Sequence, residues 1–252
     1  MKQKITTNVE SDFSNRSLAI LIDADNAPAD IAESLFQEIA GLGEVSVRRI
    51  YGDLSAPQNA GWRNKLNIYA INPIQQYAYT KGKNATDCRL IIDAMDLMYT
   101  RRFDGFCLVS SDSDFTSLAI RIKEEGLKVF GFGEQKTPQA FIKACHEFMY
   151  LEKLRQPVNG KKNLTVSEKT AEISETTENN QLLNIDIEKM LIQAVEENAK
   201  NDGWALLSTI GSYLLRIRPD FLPKNYGFKK LTDLLKSKPN HFILDQHRVR
   251  CK

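Results

Sequence analysis

The chain has 252 residues, enough for one large domain and a smaller one. It is 42% hydrophobic and 26% charged, the balance of a globular protein, and its formal net charge is only +2. No apolar run approaches the roughly 18 residues of a membrane-spanning helix, and the polar first residues do not resemble a secretory signal. Composition therefore argues against a membrane protein and gives no overall basic field that would indicate a nucleic-acid partner.

The four cysteines are predicted to be free thiols. They are Cys88, Cys107, Cys145 and Cys251, and they form neither a CxxC pair nor a zinc-binding spacing with histidine. Such usage suits a reducing compartment, so we expect a cytoplasmic protein.

The first part of the chain alternates predicted strands and helices. Strands are predicted over residues 17–23, 45–52, 67–73, 105–111 and 127–133. Helices are predicted over residues 28–43, 85–100, 114–126 and 137–145. This alternation predicts an α/β fold with a parallel sheet covered by helices on both faces. Ligands of such sheets bind beyond the carboxyl ends of the strands.

The remaining segments differ in composition. Residues 1–15 are polar and predicted to be disordered, and residues 155–182 have so few large apolar side chains that a flexible linker is predicted. Residues 183–252 contain 12 Lys and Arg against 8 Asp and Glu, a local charge of +4. Their pattern predicts helices over 185–200, 203–221 and 225–240, followed by a hairpin over 241–252. Three helices and a hairpin predict a small winged-helix (α+β) domain.

Four acids fall where a ligand of the first domain would bind. Asp23 ends the first strand, Asp112 and Asp114 follow the strand over 105–111, and Asp87 lies on the apolar stripe of the helix over 85–100. Several carboxylates at one point repel one another unless a cation joins them, and carboxylate oxygens suit Mg²⁺ or Mn²⁺. The conjunction predicts a metal site.

Each acid also has a simpler interpretation. Asp23 is a common residue in turns, Asp112 or Asp114 is a typical helix N-cap, and Asp87 near a helix start favours the helix dipole. Two further acids of the same helix, Asp93 and Asp96, lie on other sides of it and are expected to meet solvent or a surface Arg.

Linked motifs carry a family resemblance. The segments "LAILIDADNAP", "RRIYGD", "KGKNATDCRLIIDAMDLMY" and "DGFCLVSSDSDFTSLAIRIKEEGLKVFGFG" resemble the NYN domain of the LabA-like branch, within the PIN-like nuclease superfamily. The resemblance implies a PIN-like nuclease domain over residues 16–154 with an acidic, metal-dependent ribonuclease site. The acids of that site fall on Asp23, Asp87, Asp112 and Asp114, and its associated asparagine falls on Asn26.

Other polar and aromatic residues are candidates for substrate contact. Besides Asn26, these are Arg49, Lys81, Lys83, Arg89 and Ser111. Each of these cations, taken alone, is more often a solvated surface charge, and an ordinary turn is the more common role for a serine such as Ser110. Base stacking by Tyr51, Trp62, Tyr77 and Tyr79 competes with packing in the core.

The C-terminal part carries a second resemblance. "LSTIGSYLLRIRPDFLPKNYGFKKLTDLLKS" and "FILDQHRVR" resemble an OST-HTH, or LOTUS, domain, which implies binding of RNA or, in some members, of a protein. Phosphate contacts are predicted for Lys229, Lys230, Lys236, Arg248 and Arg250. The alternative is a solvated helix face and an edge strand blunted by charge.

Three functions follow from these patterns. The first is a metal-dependent ribonuclease, of the endonuclease type, that cleaves single-stranded or structured RNA and carries a tethered RNA-binding module. The second is a non-cleaving RNA-binding regulator with an acidic metal pocket. The third is a haloacid-dehalogenase-like phosphatase, because "IDADN" contains DxD after a strand, although Lys128 follows Asp112 and Asp114 where that chemistry needs a preceding lysine.

Overall fold

A computed structural model describes residues 16–76, 84–155, 187–200 and 202–252. The chain divides into two compact units, Met1–Gln156 and Pro157–Lys252. Among the described residues, none of the helices combines the length and apolar character that a membrane span requires. The predictions for residues 1–15 and 156–182, and for Lys81, Lys83, Tyr77 and Tyr79, lie outside the described residues. Arg155, predicted to begin the linker, pairs with Asp30 of the first unit at 3.1 Å.

The first unit contains a six-stranded parallel sheet, which confirms the predicted α/β, PIN-like class. Its strands are β1 Ser17–Asp23, β2 Glu44–Gly52, β3 Asn72–Gln75, β4 Gly105–Val109, β5 Lys128–Gly133 and β6 Glu147–Tyr150. Their order is β3-β2-β1-β4-β5-β6. The chain therefore adds strands first on one side of β1 and then on the other. The carboxyl ends of β1 and β4 flank the crevice that such a reversal opens, the usual place for a ligand.

Helices surround this sheet. They are α1 Ala32–Ala40, α2 Ala60–Ile68, α3 Ala85–Tyr99, α4 Thr116–Glu124, α5 Gln139–Ala144 and α6 Leu151–Leu154. Residues 18–22 of β1 are all fully buried. Because successive side chains of a strand point to opposite faces, both faces of the sheet are covered. One apolar cluster joins α3, α4 and α5 to the sheet, while α1 packs against β2 and α6.

The predicted strand over 67–73 is wrong. Residues 67 and 68 end α2, Ala70 takes a positive φ of 50°, and the strand begins at Asn72. Helix α2 and the edge strand β3 were missed for the same reason, because neither is strongly apolar. β3 has the sequence "NPIQ" and contains Pro73, which an edge strand tolerates because one side needs no ladder hydrogen bond. β6 was also missed, and β4 ends at Val109, before the two serines.

The second unit confirms the predicted winged helix. It consists of α7 over 187–198, β7 Ala205–Leu206, α8 Leu207–Ile217, α9 Leu231–Lys236, β8 Phe242–Asp245 and β9 Arg248–Cys251. β8 and β9 form the predicted hairpin, and the two-residue β7, which was not predicted, adds a third antiparallel strand on the other side of β9. A separate apolar cluster, which includes Leu191, Ile210, Leu214 and Leu235, holds this unit together.

Candidate metal centre

Three carboxylates converge beyond the carboxyl end of the sheet. Asp87 lies in the first turn of α3, and Asp112 and Asp114 lie in the loop that follows β4. Each offers one oxygen, and these three oxygens lie within 4.8 Å of one another. Asp87 and Asp112 are half-buried and Asp114 is exposed. The group is therefore open to solvent on one side. A cation site that also admits a phosphate needs such an opening.

Electrostatics at this point favour a bound cation. The pKa of Asp87 is raised to about 6, first by partial burial and then by the negative charges of Asp23, Asp112, Asp114 and Asp25. Burial and like charges both disfavour the ionised form of a carboxyl group. A divalent cation reverses that balance, because it attracts every carboxylate that now repels Asp87.

Asp23 differs from the other three predicted ligands in its surroundings. It is fully buried and, among the described residues, does not belong to the three-acid group. Its carboxylate accepts hydrogen bonds from the Asp25 amide at 3.1 Å, the Asn26 side chain at 2.8 Å and the Ser110 hydroxyl at 2.8 Å. Burial raises the pKa of Asp23, and these hydrogen bonds oppose the rise. Asp23 is thus a buried acid, and its negative charge contributes to the raised pKa of Asp87.

The geometry of the two acids after β4 is compatible with both predicted roles. An oxygen of Asp112 accepts a hydrogen bond from the Asp114 amide at 2.9 Å and caps the 3-10 turn Ser113–Phe115. Asp114 accepts a hydrogen bond from the Asn84 side chain at 2.6 Å. Capping uses one oxygen of Asp112, and each carboxylate has two. Helix capping and metal binding are therefore compatible at this loop.

The adjacent serines face different partners. Ser110 is buried, and its hydroxyl donates to Asp23 and accepts from the Asp112 amide at 3.0 Å. It joins the end of β1 to the loop after β4 and is more than a turn residue. The hydroxyl of Ser111, which is predicted to contact substrate, accepts a hydrogen bond from the Glu134 amide at 2.8 Å and holds the loop after β5.

Arg49 lies in an ion-pair cluster around Asp93 of α3. It pairs with Asp93 at 2.9 Å, Arg89 pairs with the same carboxylate at 3.1 Å, and the Tyr51 hydroxyl donates to it at 3.1 Å. Asp93 therefore meets arginines, as predicted, although it is buried. Trp62 and Tyr51 are both buried, and this burial favours core packing over base stacking for each of them.

Two residues beside the end of β1 were not among the predicted site residues. Asp25 is exposed at the end of β1, and its carboxylate accepts a hydrogen bond at 2.8 Å from the side chain of the buried Asn59. Asn59 also donates to the backbone oxygen of Asp53 at 3.1 Å. Gly52 permits this arrangement because its φ is +145° and an added Cβ would approach the Ala24 side chain to 3.0 Å. Asp25 was visible as part of DxD, but nothing in the local sequence connects it with Asn59.

The basic residues predicted in the second unit are all exposed. They are Lys229, Lys230, Lys236, Arg248 and Arg250. Arg248 pairs with Asp245 at 2.9 Å and approaches Asp202 at 3.8 Å, so its charge is partly balanced. The lysines lie at and just before α9.

Comparisons with known proteins agree with this division. The sequence matches the family model of the NYN domain over residues 17–152 and that of the OST-HTH/LOTUS domain over residues 183–250. A solved protein of unknown function from Vibrio parahaemolyticus is similar at 21% identity and a TM-score of 0.47, covering 55% of this chain and 94% of its own. An uncharacterized protein from Nitrosomonas europaea has 25% identity and a TM-score of 0.24, covering 37% of this chain and 87% of its own. Comparison with curated proteins finds no match.

Proposed function

Because the chain belongs to the NYN domain family, we propose that it is a metal-dependent ribonuclease, of the endonuclease type, with a tethered RNA-binding domain. The observation that carries this proposal is the convergence of Asp87, Asp112 and Asp114 beside the central strand. Carboxylate oxygens are the donors that Mg²⁺ and Mn²⁺ prefer, and the open side leaves room for a phosphate. The donor set therefore fits the cofactor that we propose.

In this proposal Asp87, Asp112 and Asp114 hold the ion. When bound, such an ion lowers the pKa of water and neutralises negative charge on the phosphate. Asp23 shares its hydrogen-bond partner Ser110 with the Asp112 amide, so it positions the loop that carries two of the ligands. Asn26 fixes the orientation of Asp23. Asp25, exposed and anchored by Asn59, is available to accept a proton at the rim.

A cleavage assay on labelled single-stranded RNA, with Mn²⁺ or with EDTA, tests the proposal. We expect cleavage only with the metal, and we expect Asp114→Asn to abolish it. Asp96→Asn is the matched control, since Asp96 is an exposed acid on another side of α3 and should keep full activity. Full activity of Asp114→Asn would remove that residue from the site.

A non-cleaving RNA-binding regulator is the second candidate. It is favoured by the absence of Asp23 from the three-acid group of the described residues. Purified protein that binds RNA and Mn²⁺ but leaves the RNA intact would support it. The phosphatase alternative would need a lysine beside the acids, and Lys128 is not placed there. Lys128 starts β5 and pairs in register with Gly105, at the opposite edge of the sheet from the acids.

The second unit is proposed to bind RNA through its exposed cations, with a protein as the alternative partner. In the first unit, the residues that remain proposed RNA contacts are Asn26, Arg49, Lys81, Lys83 and Ser111. The hydrogen bond of Asn26 to Asp23 and the ion pair of Arg49 with Asp93 are competing roles. We also propose a cytoplasmic location, which the four free cysteines support.

A further inference from the structure

The outer face of the small sheet carries an unusual set of side chains. β9 is the central strand, with Val249 in the core and Arg248 and Arg250 exposed. Leu206 pairs in register with Arg248, and Ile243 pairs with Arg250, so these side chains share the outer face. Leu206 is 40% exposed. We call Trp204, Leu206, Ile243, Arg248 and Arg250 the sheet platform.

Trp204 organises this platform. The guanidinium carbons of Arg250 and Arg248 lie 4.9 Å and 5.2 Å from the centre of its ring. The indole is itself partly exposed. Two planar guanidinium groups on an indole form a preassembled cationic and aromatic surface. Unstacked nucleobases bind to surfaces of this kind, because every base has a π-face that stacks on an aromatic ring or on a guanidinium plane.

The charges on this face favour a polyanion. Acids balance Arg248, whereas Arg250 forms no ion pair within the described part of the chain. The exposed Lys252 follows on the same strand end. Residues 183–252 as a whole carry a charge of +4. An apolar protein partner would require a larger exposed apolar area than Leu206 and a half-buried Ile243 provide.

We propose that the sheet platform binds the unstacked bases of single-stranded RNA, with Trp204 and Arg250 as the stacking pair. The proposal rests on the proposed function in taking RNA as the ligand, but it does not require the metal centre. It assigns base contacts to the sheet and leaves phosphate contacts to cations such as Lys229 and Lys236. Duplex RNA, whose bases are already stacked, would bind only through those phosphate contacts.

Binding of two labelled RNAs to the full-length protein tests the platform. The first is a 12-nucleotide oligouridylate, and the second is an abasic strand of the same length that keeps every phosphate. Both are measured in EDTA, so that cleavage cannot interfere and failure of the nuclease proposal would not affect the result. Trp204→Ala should weaken oligouridylate binding about 5- to 150-fold, the loss typical of one stacked base. Affinity for the abasic strand should change by less than about twofold.

Three other substitutions separate stacking from charge. Trp204→Phe keeps an aromatic ring and should retain most of the affinity. Lys236→Ala removes a phosphate contact and should weaken both RNAs by the same factor. Arg250→Gln, at an exposed position, should again affect oligouridylate more than the abasic strand, and it tests the platform even if Trp204→Ala fails to fold.

Tryptophan fluorescence provides an independent readout. The chain has two tryptophans, and Trp62 is buried in the first unit with its ring nitrogen donating to the Ala27 carbonyl at 2.7 Å. Quenching by oligouridylate should therefore come from Trp204 and disappear in Trp204→Phe. Unchanged oligouridylate affinity in folded Trp204→Ala, or an equal loss for both RNAs, would overturn the proposal.

Discussion

Replacement of Asp87 by Asn tests the electrostatic argument for the metal centre directly. Asp87 sits in the first turn of α3, and the other site acids contribute to its raised pKa. In the metal-free protein, the ionised carboxylate is held at a position that disfavours its charge. The amide of Asn has nearly the same shape without that charge, so we expect Asp87→Asn to stabilise the metal-free fold.

The magnitude follows from the pKa. A rise from the ordinary 3.8 to about 6 corresponds to about 3 kcal/mol against the ionised form. Asp87 is half-exposed and solvent screens its neighbours, so we expect only about 1 kcal/mol to be recovered. Because the pKa is higher in the folded state, the folded protein binds more protons than the unfolded chain between pH 4 and pH 6, and stability falls as pH rises through that window.

Urea denaturation in EDTA at pH 7 and at pH 4 measures this effect. The variant should be about 1 kcal/mol more stable than the wild type at pH 7, and the difference should shrink towards pH 4. Mn²⁺ should stabilise the wild type and have less effect on the variant, which lacks one ligand. A variant that is less stable at pH 7 in EDTA, or equally stabilised at both pH values, would refute the account of Asp87.

Three further predictions concern other parts of the molecule. Ser110→Ala removes a buried hydroxyl with two hydrogen bonds, so it should cost about 1–3 kcal/mol in urea denaturation, and wild-type stability would contradict the bridging role. Burial and two nearby lysines lower the pKa of His146 to about 4, and its Nδ1 accepts a hydrogen bond from the Val129 amide. The stability that neutral His146 contributes is therefore lost as pH falls from 6.5 towards 4, and His146→Asn should lose less stability over that range. Deletion of residues 183–252 should raise KM on long RNA with kcat little changed, and an unchanged KM would favour a protein partner for that unit.

The central elements could be predicted because burial on both faces leaves a continuous apolar run. β1 was predicted with the bounds that the structure has, and α3 differs by one residue. Edge elements lack this signal. Within the described part of the chain, β3 pairs only with β2, so it needs little apolar side-chain surface and is held largely by backbone hydrogen bonds. The tendency of edge strands to be polar and short is the physical reason for the largest error in the predicted fold.

The candidate site was predictable as a neighbourhood but not as a geometry. The carboxyl ends of parallel strands lie at one edge of the sheet. The sequence therefore predicted that four acids lie close together there: Asp23, Asp87, Asp112 and Asp114. Which carboxylate faces the opening depends on side-chain hydrogen bonds between distant residues. Ser110, 87 residues from Asp23, shares its hydroxyl with the buried acid. A linear sequence gives no indication of such a contact.

The separation of Asp23 from the three converging acids has a consequence for how the site is held. A carboxylate without hydrogen bonds would be costly at full burial, yet Asp23 accepts three. Through Ser110 those bonds extend to the Asp112 amide, and through Asp112 to the amide of Asp114. The end of β1 and both acids after β4 thus form one continuous polar network. A substitution at Asp23 would disturb the proposed ligands Asp112 and Asp114, because the loop that carries them is oriented through Asp23.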